Sequence, residues 1–177
     1  REGAIGCFEE ACRNGVCTGA KPIGMLDHLQ FGNPKDPEIF WTFLESLKGL
    51  TDFAKDFEIP CVGGKVSLFN ETPNGSIKPT PVIGVIGLID KKPLRIQKID
   101  SDDCLILIGN TKDELGGSEY SEYIHKFIGG KCPAVDFVES KKNMNAVLEI
   151  IENDLIKSAH DCSKGGLAVA VSELCMT

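Results

Sequence analysis

The stretch that most constrains the fold is 37–57, where apolar side chains recur at helical spacing over 21 residues. Asp36 suits the N-cap position before it, and Pro37 suits the first helical position. Residues 82–89 form instead a continuous apolar run with two glycines, which is typical of a buried strand. A chain that carries both patterns predicts a mixed core, in which amphipathic helices cover a sheet.

The other patterns give an alternating order of elements. The first ninety residues predict helices at 2–17 and 37–57, a loop at 72–81, and strands at 22–30, 60–69 and 82–89. Later patterns predict strands at 104–109 and 155–160 and helices near 119–128, at 139–153 and after Ser163. The charged stretch 90–103 contains a proline and predicts a connection between domains 1–90 and 91–177.

Both ends of the sequence favour a segment of a longer protein. Arg1 replaces the usual methionine and already lies in a helical pattern, while 169–177 predicts a helix with no capping glycine or proline after it.

Composition narrows the function classes. With 26 acidic and 19 basic residues the formal charge is −7, which argues against a nucleic-acid partner. No apolar run reaches the ~20 residues that cross a membrane. The eight cysteines include no CxxC pair, so a zinc site has little support, and we expect buried, reduced thiols in a cytoplasmic protein.

Two candidate sites lie in the first ninety residues. Asp27 ends a predicted strand beside a Gly/Pro loop, where a carboxylate suits a metal or a nucleotide; the alternative is a turn cap. In the segment Gly63-Gly64-Lys65-Val66-Ser67, glycines allow phosphate or ribose to approach, Lys65 supplies charge and Ser67 a hydroxyl. The alternative there is a β-bulge with a solvated lysine.

Two further Gly-rich segments precede predicted helices. Residues 160–166, His-Asp-Cys-Ser-Lys-Gly-Gly, present backbone N–H groups to an anion or simply start a helix with Asp161 or Ser163 as N-cap. Residues 115–120 cradle a phosphate or, as the preferred alternative, cap a helix.

In order along the chain, five blocks resemble one family, phosphoribosylformylglycinamidine synthase. The blocks are DHLQFGNPKDPEIFW (27–41), PCVGGKVSLFNET (60–72), PTPVIGVIGLI (79–89), GGSEY (116–120) and AHDCSKGGLAVAVSE (159–173). The resemblance extends over essentially the whole chain, and the FGNP and VSLFNET blocks distinguish this family within its superfamily.

The resemblance implies an α+β fold like that of aminoimidazole ribonucleotide synthetase. The family chain is a tandem duplication, and this sequence resembles the middle of its second half. Residues 1–90 would then be most of a sheet-pairing domain, and 91–177 would open a larger α/β domain that is truncated at its end.

The resemblance also implies an activity. The family uses ATP and glutamine to convert formylglycinamide ribonucleotide into its amidine in purine biosynthesis, with Mg²⁺ as the metal. The implied partners are a glutaminase subunit, a small accessory subunit and the first half of the same chain.

Residue by residue, the resemblance assigns Asp27 and Gly64 to ATP and Ser67 to the ribonucleotide substrate. Lys65 occupies a position where the family usually has a magnesium-ligating Asn, and an ammonium cannot ligate a cation. We expect Lys65 to contact phosphate directly.

No catalytic residue is assigned to this chain. The family's catalytic histidine lies in the first half, and His28, His125 and His160 do not match it. We therefore expect the isolated chain to be inactive and to form a homodimer through its uncovered sheet face. The alternatives are a non-catalytic nucleotide-binding or structural module, or another superfamily member such as selenophosphate synthetase.

Overall fold

The computed structural model describes residues 1–176, which form five helices and five strands. In chain order they are α1 (Glu2–Cys17), β1 (Lys21–Gln30), α2 (Pro37–Phe57), β2 (Cys61–Ser67), β3 (Glu71–Thr72), β4 (Gly75–Ser76), β5 (Thr80–Leu88), α3 (Glu119–His125), α4 (Phe137–Glu152) and α5 (Gly166–Met176). Thr177, the last residue of the predicted C-terminal helix, lies outside the described residues.

The main sheet has three strands in the order β2-β1-β5. β1 runs parallel to β2, with α2 as the crossover between them, and antiparallel to β5. Because β1 is hydrogen-bonded on both sides, its residues have fixed neighbours on each side. The predicted strands at 22–30, 60–69 and 82–89 are confirmed, with ends that differ from the prediction by at most two residues.

α1 lies between the sheet and α2, and its apolar face is fully buried. Phe8 and Cys12 are completely inaccessible, and they join a core that α1 shares with β1, α2 and α4. Gly49 of α2 permits the close crossing of the two helices, because a Cβ there would come within 2.6 Å of the Arg1 carbonyl oxygen. Within the described residues, the main hydrophobic core is therefore built around α1.

Both ends of α2 lie where the sequence predicts them. The Asp36 carboxylate accepts hydrogen bonds from the backbone N–H groups of Glu38 (2.9 Å) and Ile39 (3.4 Å), as the N-cap prediction requires. At the other end Glu58 adopts a left-handed conformation, with φ 56°, which terminates the helix. The predicted helix 37–57 is thus confirmed at both ends.

Two predicted strands, 104–109 and 155–160, are wrong. No segment within residues 1–176 pairs with the apolar run 104–109, and Ile106 is 76% exposed. Residues 155–160 lie beside 97–103 through side chains instead: Ser158 Oγ accepts from the Gln97 N–H at 3.1 Å. An apolar run becomes a strand only when another strand supplies its hydrogen bonds.

Smaller differences have local causes. The predicted loop 72–81 contains a short hairpin of β3 and β4. The helix predicted near 119–128 ends at His125, because Lys126 turns left-handed with φ 53°. α4 begins two residues before the predicted 139, because the Asp136 carboxylate caps it through the N–H groups of Val138 and Glu139.

The cysteines agree only in part with the prediction of buried, reduced thiols. All eight are free, and burial raises the pKa of Cys12 to about 12 and that of Cys17 to about 11. Four are exposed, which corrects the prediction of burial: Cys61, Cys104, Cys132 and Cys175. Cys61 lies on an edge strand and Cys104 in a run that never becomes a strand, so neither is covered.

The aromatic cluster around Phe53 predicts a large effect on stability. Its ring is fully buried and packs against Phe8 (4.6 Å between centroids), Phe57 (3.9 Å) and Phe137 (5.5 Å). We expect Phe53→Ala to lower the free energy of unfolding by about 3–5 kcal/mol, because the site cannot close over the cavity. Urea denaturation of the purified chain measures the change.

Phe40 on the same helix is the matched control, since 45% of it is exposed. We expect Phe40→Ala to change stability by less than about 1 kcal/mol. Equal losses in the two variants would contradict the placement of the core.

Candidate functional site

Asp27 and Gly64, the two residues assigned to one ligand from the sequence, are neighbours in the sheet. They are register partners across the parallel pair β1 and β2. The Asp27 carboxylate lies directly over Gly64, so that a Cβ at position 64 would overlap Asp27 Oδ1. Glycine is therefore required at 64 by the position of the carboxylate, and not by an unusual φ.

Lys65 and Ser67 lie on the opposite face of the sheet from Asp27. Side chains alternate along a strand, and register partners share a face. Lys65 is paired with His28, and Ser67 with Gln30. The structure thus brings Asp27 to Gly64 on one face and groups Lys65 with Ser67 on the other.

Asn70 ties the two loops beside the site together, and the sequence analysis missed it. Its side-chain Nδ2 donates to the carbonyl oxygens of Phe31 and Ser67, both at 3.0 Å. The same amide nitrogen lies 3.1 Å from Ser67 Oγ. Asn70 therefore fixes both the backbone after β1 and the Ser67 hydroxyl. In the sequence, the only indication of this role is the position of Asn70 between the turn residue Phe69 and a short polar hairpin.

Phe69 is held in a left-handed conformation that a bulky residue rarely adopts, with φ 60°. Its N–H donates to the Gly32 carbonyl at 2.9 Å, and the next N–H, of Asn70, donates to the Phe31 carbonyl at 3.1 Å. These two bonds hold the strained residue against the Gly32 turn. The motifs FGNP and SLFNET, distant in sequence, are thereby joined into one unit.

The hairpin of β3 and β4 folds over this unit. A Cβ at Gly32 would overlap Ser76 Oγ, so the turn and the hairpin are in direct contact. Beside that contact lies a cleft of about 170 Å³, lined by residues that include Phe31, Asp36, Thr42 and Ser76. A larger cleft of about 430 Å³ between α1, α2 and α4 contains none of the predicted site residues.

The segment 160–166 does not form the predicted cap. α5 begins at Gly166, so its N-cap position is Gly165, and neither Asp161 nor Ser163 occupies it. Gly165 and Gly166 have φ 84° and 65°, and the Gly166 N–H donates to the Ser163 carbonyl at 3.0 Å. The Asp161 carboxylate turns instead toward α1.

Residues 115–120 do cap a helix, which was the preferred alternative. Ser118 Oγ accepts from the Ser121 N–H at 3.2 Å at the start of α3. The other predicted polar groups lie apart from the site: His125 packs edge-on against Tyr120, and His160 Nε2 lies 3.1 Å from Glu173.

The described residues do not assemble a metal centre. Nowhere in 1–176 do three His, Cys, Asp or Glu side chains converge as metal ligands. Asp27 is the one carboxylate in the candidate site, and the position next to Gly64 is a lysine. Within the same residues, every helix is too short or too polar to cross a bilayer.

The contact between Asp27 and Gly64 predicts that a methyl group added at Gly64 lowers stability much more than one added at Gly63. We expect Gly64→Ala to push the carboxylate aside and to lower the free energy of unfolding by about 1–3 kcal/mol. Gly63→Ala is the control, because its Cβ would meet only Leu26 Cδ2 at 3.5 Å. Denaturant titration of both variants measures the difference.

A double variant completes this test. Removing the carboxylate in Asp27→Ala should restore most of the stability lost in Gly64→Ala, since the overlap is then absent. Additive losses would show that the carboxylate does not lie over Gly64.

Two models of known protein families match this chain, one over its first half and one over its second half. A family model described as AIR synthase related protein, N-terminal domain, matches residues 1–89. The model for the C-terminal domain of that family matches residues 100–177.

Named relatives are similar over nearly the whole chain. Phosphoribosylformylglycinamidine synthase subunit PurL of Methanocaldococcus jannaschii is 47% identical over 180 residues, which cover 97% of this chain and 25% of the relative. The PurL subunit of Alkaliphilus metalliredigens is 44% identical over 175 residues, which cover 98% and 24%. The chain thus spans about a quarter of the length of these relatives.

Solved structures share the fold at low identity. PurL of Thermotoga maritima complexed with FGAR aligns with a TM-score of 0.63 at 19% identity, covering 98% of this chain and 28% of that one. A chain of the HypE–HypF complex aligns with a TM-score of 0.62 at 16% identity, covering 95% and 53%.

Proposed function

This chain belongs to the AIR synthase related protein family, and we propose that it is part of a phosphoribosylformylglycinamidine synthase, contributing to its ATP and substrate sites. The resemblance inferred from the sequence motifs is confirmed by the PurL relatives, and so is the α+β fold. The domain limits 1–90 and 91–177 remain a proposal, and so does the activity of the full-length protein.

The proposed reaction is an ATP-dependent amidine synthesis. Transfer of the γ-phosphoryl group of ATP to the amide oxygen of formylglycinamide ribonucleotide turns a poor leaving group into phosphate, which ammonia displaces. Binding and orientation of these substrates are the parts of the reaction that this chain's residues can support.

The placement of Asp27 over Gly64 is the observation that carries this proposal. Their register pairing sets a carboxylate beside a backbone without a side chain at the edge strand β2. Such a carboxylate suits hydroxyl or amino groups of a nucleotide, and the glycine at 64 adds no side chain that would displace it or block the ligand from it. We assign both residues to ATP.

Ser67 is proposed to contact the ribonucleotide substrate. Its hydroxyl is already oriented by Asn70, so that little rotational freedom is lost on binding. Because Lys65 projects from the same face as Ser67, we propose that its ammonium contacts a phosphate group there.

The magnesium ion that the resemblance implies does not fit the donors in this chain alone. One carboxylate lies in the site, and no cluster of three metal-ligating side chains forms anywhere in residues 1–176. The local neutralisation of phosphate charge is therefore assigned to Lys65.

The outer face of the sheet carries the proposed partner surface. Four of its side chains are between 40% and 55% exposed although they are large and apolar: Leu26, Val82, Ile86 and Leu88. We propose that the other half of the full-length subunit covers this face, and that a second copy does so when the chain is isolated. Glutaminase and small accessory subunits are the further proposed partners.

The cytoplasm is the proposed compartment, because all eight cysteines are free and four are exposed. The second candidate function is a nucleotide-binding module without catalysis. It is favoured by the absence of any assigned catalytic residue in this chain, and a binding experiment together with a turnover assay separates the two.

Calorimetric titration of a non-hydrolysable ATP analogue with Mg²⁺ into the full-length protein tests the nucleotide site. We expect Asp27→Ala to weaken binding by about tenfold or more, because a hydrogen bond to a charged group is lost. Asp36→Ala is the control, since that carboxylate only caps α2. Equal affinities of Asp27→Ala and the unsubstituted protein would contradict the assignment.

Lys65→Asn separates phosphate binding from metal binding. We expect it to weaken nucleotide or substrate affinity at low Mg²⁺ and to steepen the dependence on Mg²⁺, because an amide replaces a fixed positive charge. Steady-state kinetics over a range of Mg²⁺ concentrations measures both. Unchanged affinity and unchanged dependence would contradict the role of Lys65.

Light scattering of the isolated chain tests the partner surface. We expect a dimer that Ile86→Glu converts to monomer, because dimerisation would then bury a carboxylate in an apolar interface. Val138→Glu is the control, since Val138 is 79% exposed at the start of α4 and lies outside this face. A monomeric chain before substitution would contradict the proposal.

A further inference from the structure

A buried polar cluster joins α1 to two distant parts of the chain. Arg13 Nε donates to Glu9 Oε2 at 2.7 Å, and Arg13 Nη1 donates to the Cys162 carbonyl oxygen at 2.5 Å. Ser140 Oγ, on α4, donates to the other oxygen of Glu9 at 2.9 Å. Asp161 Oδ2 lies 3.8 Å from the same guanidinium.

The cluster is largely enclosed, so its charges are screened less by solvent than those of surface ion pairs. The side chains of Asp161 and Glu9 are only 8% and 13% exposed, and that of Arg13 is 30% exposed. Burial works against the charge of Arg13, yet the carboxylates of Glu9 and Asp161 hold its pKa above the ordinary value. Asp161 Oδ2 accepts no hydrogen bond from any described residue, and the Arg13 guanidinium at 3.8 Å is the cation that faces it.

The carbonyl that Arg13 holds lies just before the glycine turn. Cys162 is followed by Ser163, whose own carbonyl accepts the Gly166 N–H as α5 begins. On the other side His160 Nε2 reaches Glu173 of α5. The turn is thus anchored to α1 at its start and to the body of α5 beside it.

We propose that Arg13 is a positioning residue that fixes the turn 163–166 relative to the sheet carrying Asp27 and Gly64. A guanidinium suits this task because its fork donates to Glu9 and to the Cys162 carbonyl at once, which a lysine ammonium cannot do in the same geometry. The contacts of Arg13 with Glu9 and with the Cys162 carbonyl are called the clamp below. The clamp does not depend on the proposed function; only its expected effect on catalysis rests on that function.

Hydrogen exchange in the full-length protein tests the clamp. In Arg13→Lys we expect amides within 158–166 to exchange roughly tenfold faster, the factor that follows from losing one charge-assisted hydrogen bond in a local opening. Arg1→Lys is the matched control, since Arg1 also uses Nε and Nη2 on a carboxylate, that of Asp52, but on the surface. It should leave 158–166 unchanged.

The distribution of faster exchange along the chain separates a local effect of Arg13 from a general loss of stability. Unchanged exchange in 158–166 overturns the proposal, and so does faster exchange spread evenly over the protein, because that indicates a general loss of stability. If Arg13→Lys does not fold, Ser140→Ala takes its place: it removes only the donor to Glu9 and should give a smaller rise confined to the same segment.

Turnover with ammonia as the nitrogen donor connects the clamp to catalysis. We expect Arg13→Lys to lower kcat by roughly tenfold, because the turn 163–166 is then no longer held in one position during turnover. ATP affinity should stay within about twofold, because Arg13 contacts neither Asp27 nor Gly64. An unchanged kcat overturns the catalytic part of the proposal. Absence of turnover in the unsubstituted full-length protein refutes the proposed function instead, and the exchange experiment still decides the clamp.

Discussion

The pairing of β1 with a strand on each side is the constraint on which the rest of the structure depends. Parallel bonds to β2 and antiparallel bonds to β5 fix which residues of three chain segments are neighbours. A shift by one residue would turn Met25 and Leu29 out of the core and would separate Asp27 from Gly64. The same register that buries the apolar face of β1 thus assembles the candidate site, so stability and site geometry are not independent.

Elements whose signals are local could be predicted from the sequence. α2 carries its own cap, proline and apolar period, and β5 its own apolar run. The segment 104–109 is as apolar as β5, and 155–160 begins with Leu-Ile, yet neither is a strand, because a strand depends on a partner that local pattern does not reveal. Exposure of Cys104 follows from the same missing partner.

In the candidate site too, residue identities could be predicted from the sequence, whereas contacts between distant residues could not. Asp27 and Gly64 were singled out by residue type and family motif, and their contact required the register, which no spacing in the sequence gives. Asn70 and Arg13 were not predicted, because each donates a hydrogen bond to a backbone carbonyl far along the chain, that of Phe31 and that of Cys162. Side chains that organise distant backbone leave no periodic signal in a single sequence.

The uncovered run at 104–109 has a consequence for handling the isolated chain. Six consecutive residues, Cys-Leu-Ile-Leu-Ile-Gly, carry no charge and no proline, and their backbone has no strand partner in residues 1–176. Such a segment is a template on which identical segments from other molecules can add as strands. Concentrated solutions of this chain should therefore be limited by cross-β association that begins at this run rather than by unfolding of the core.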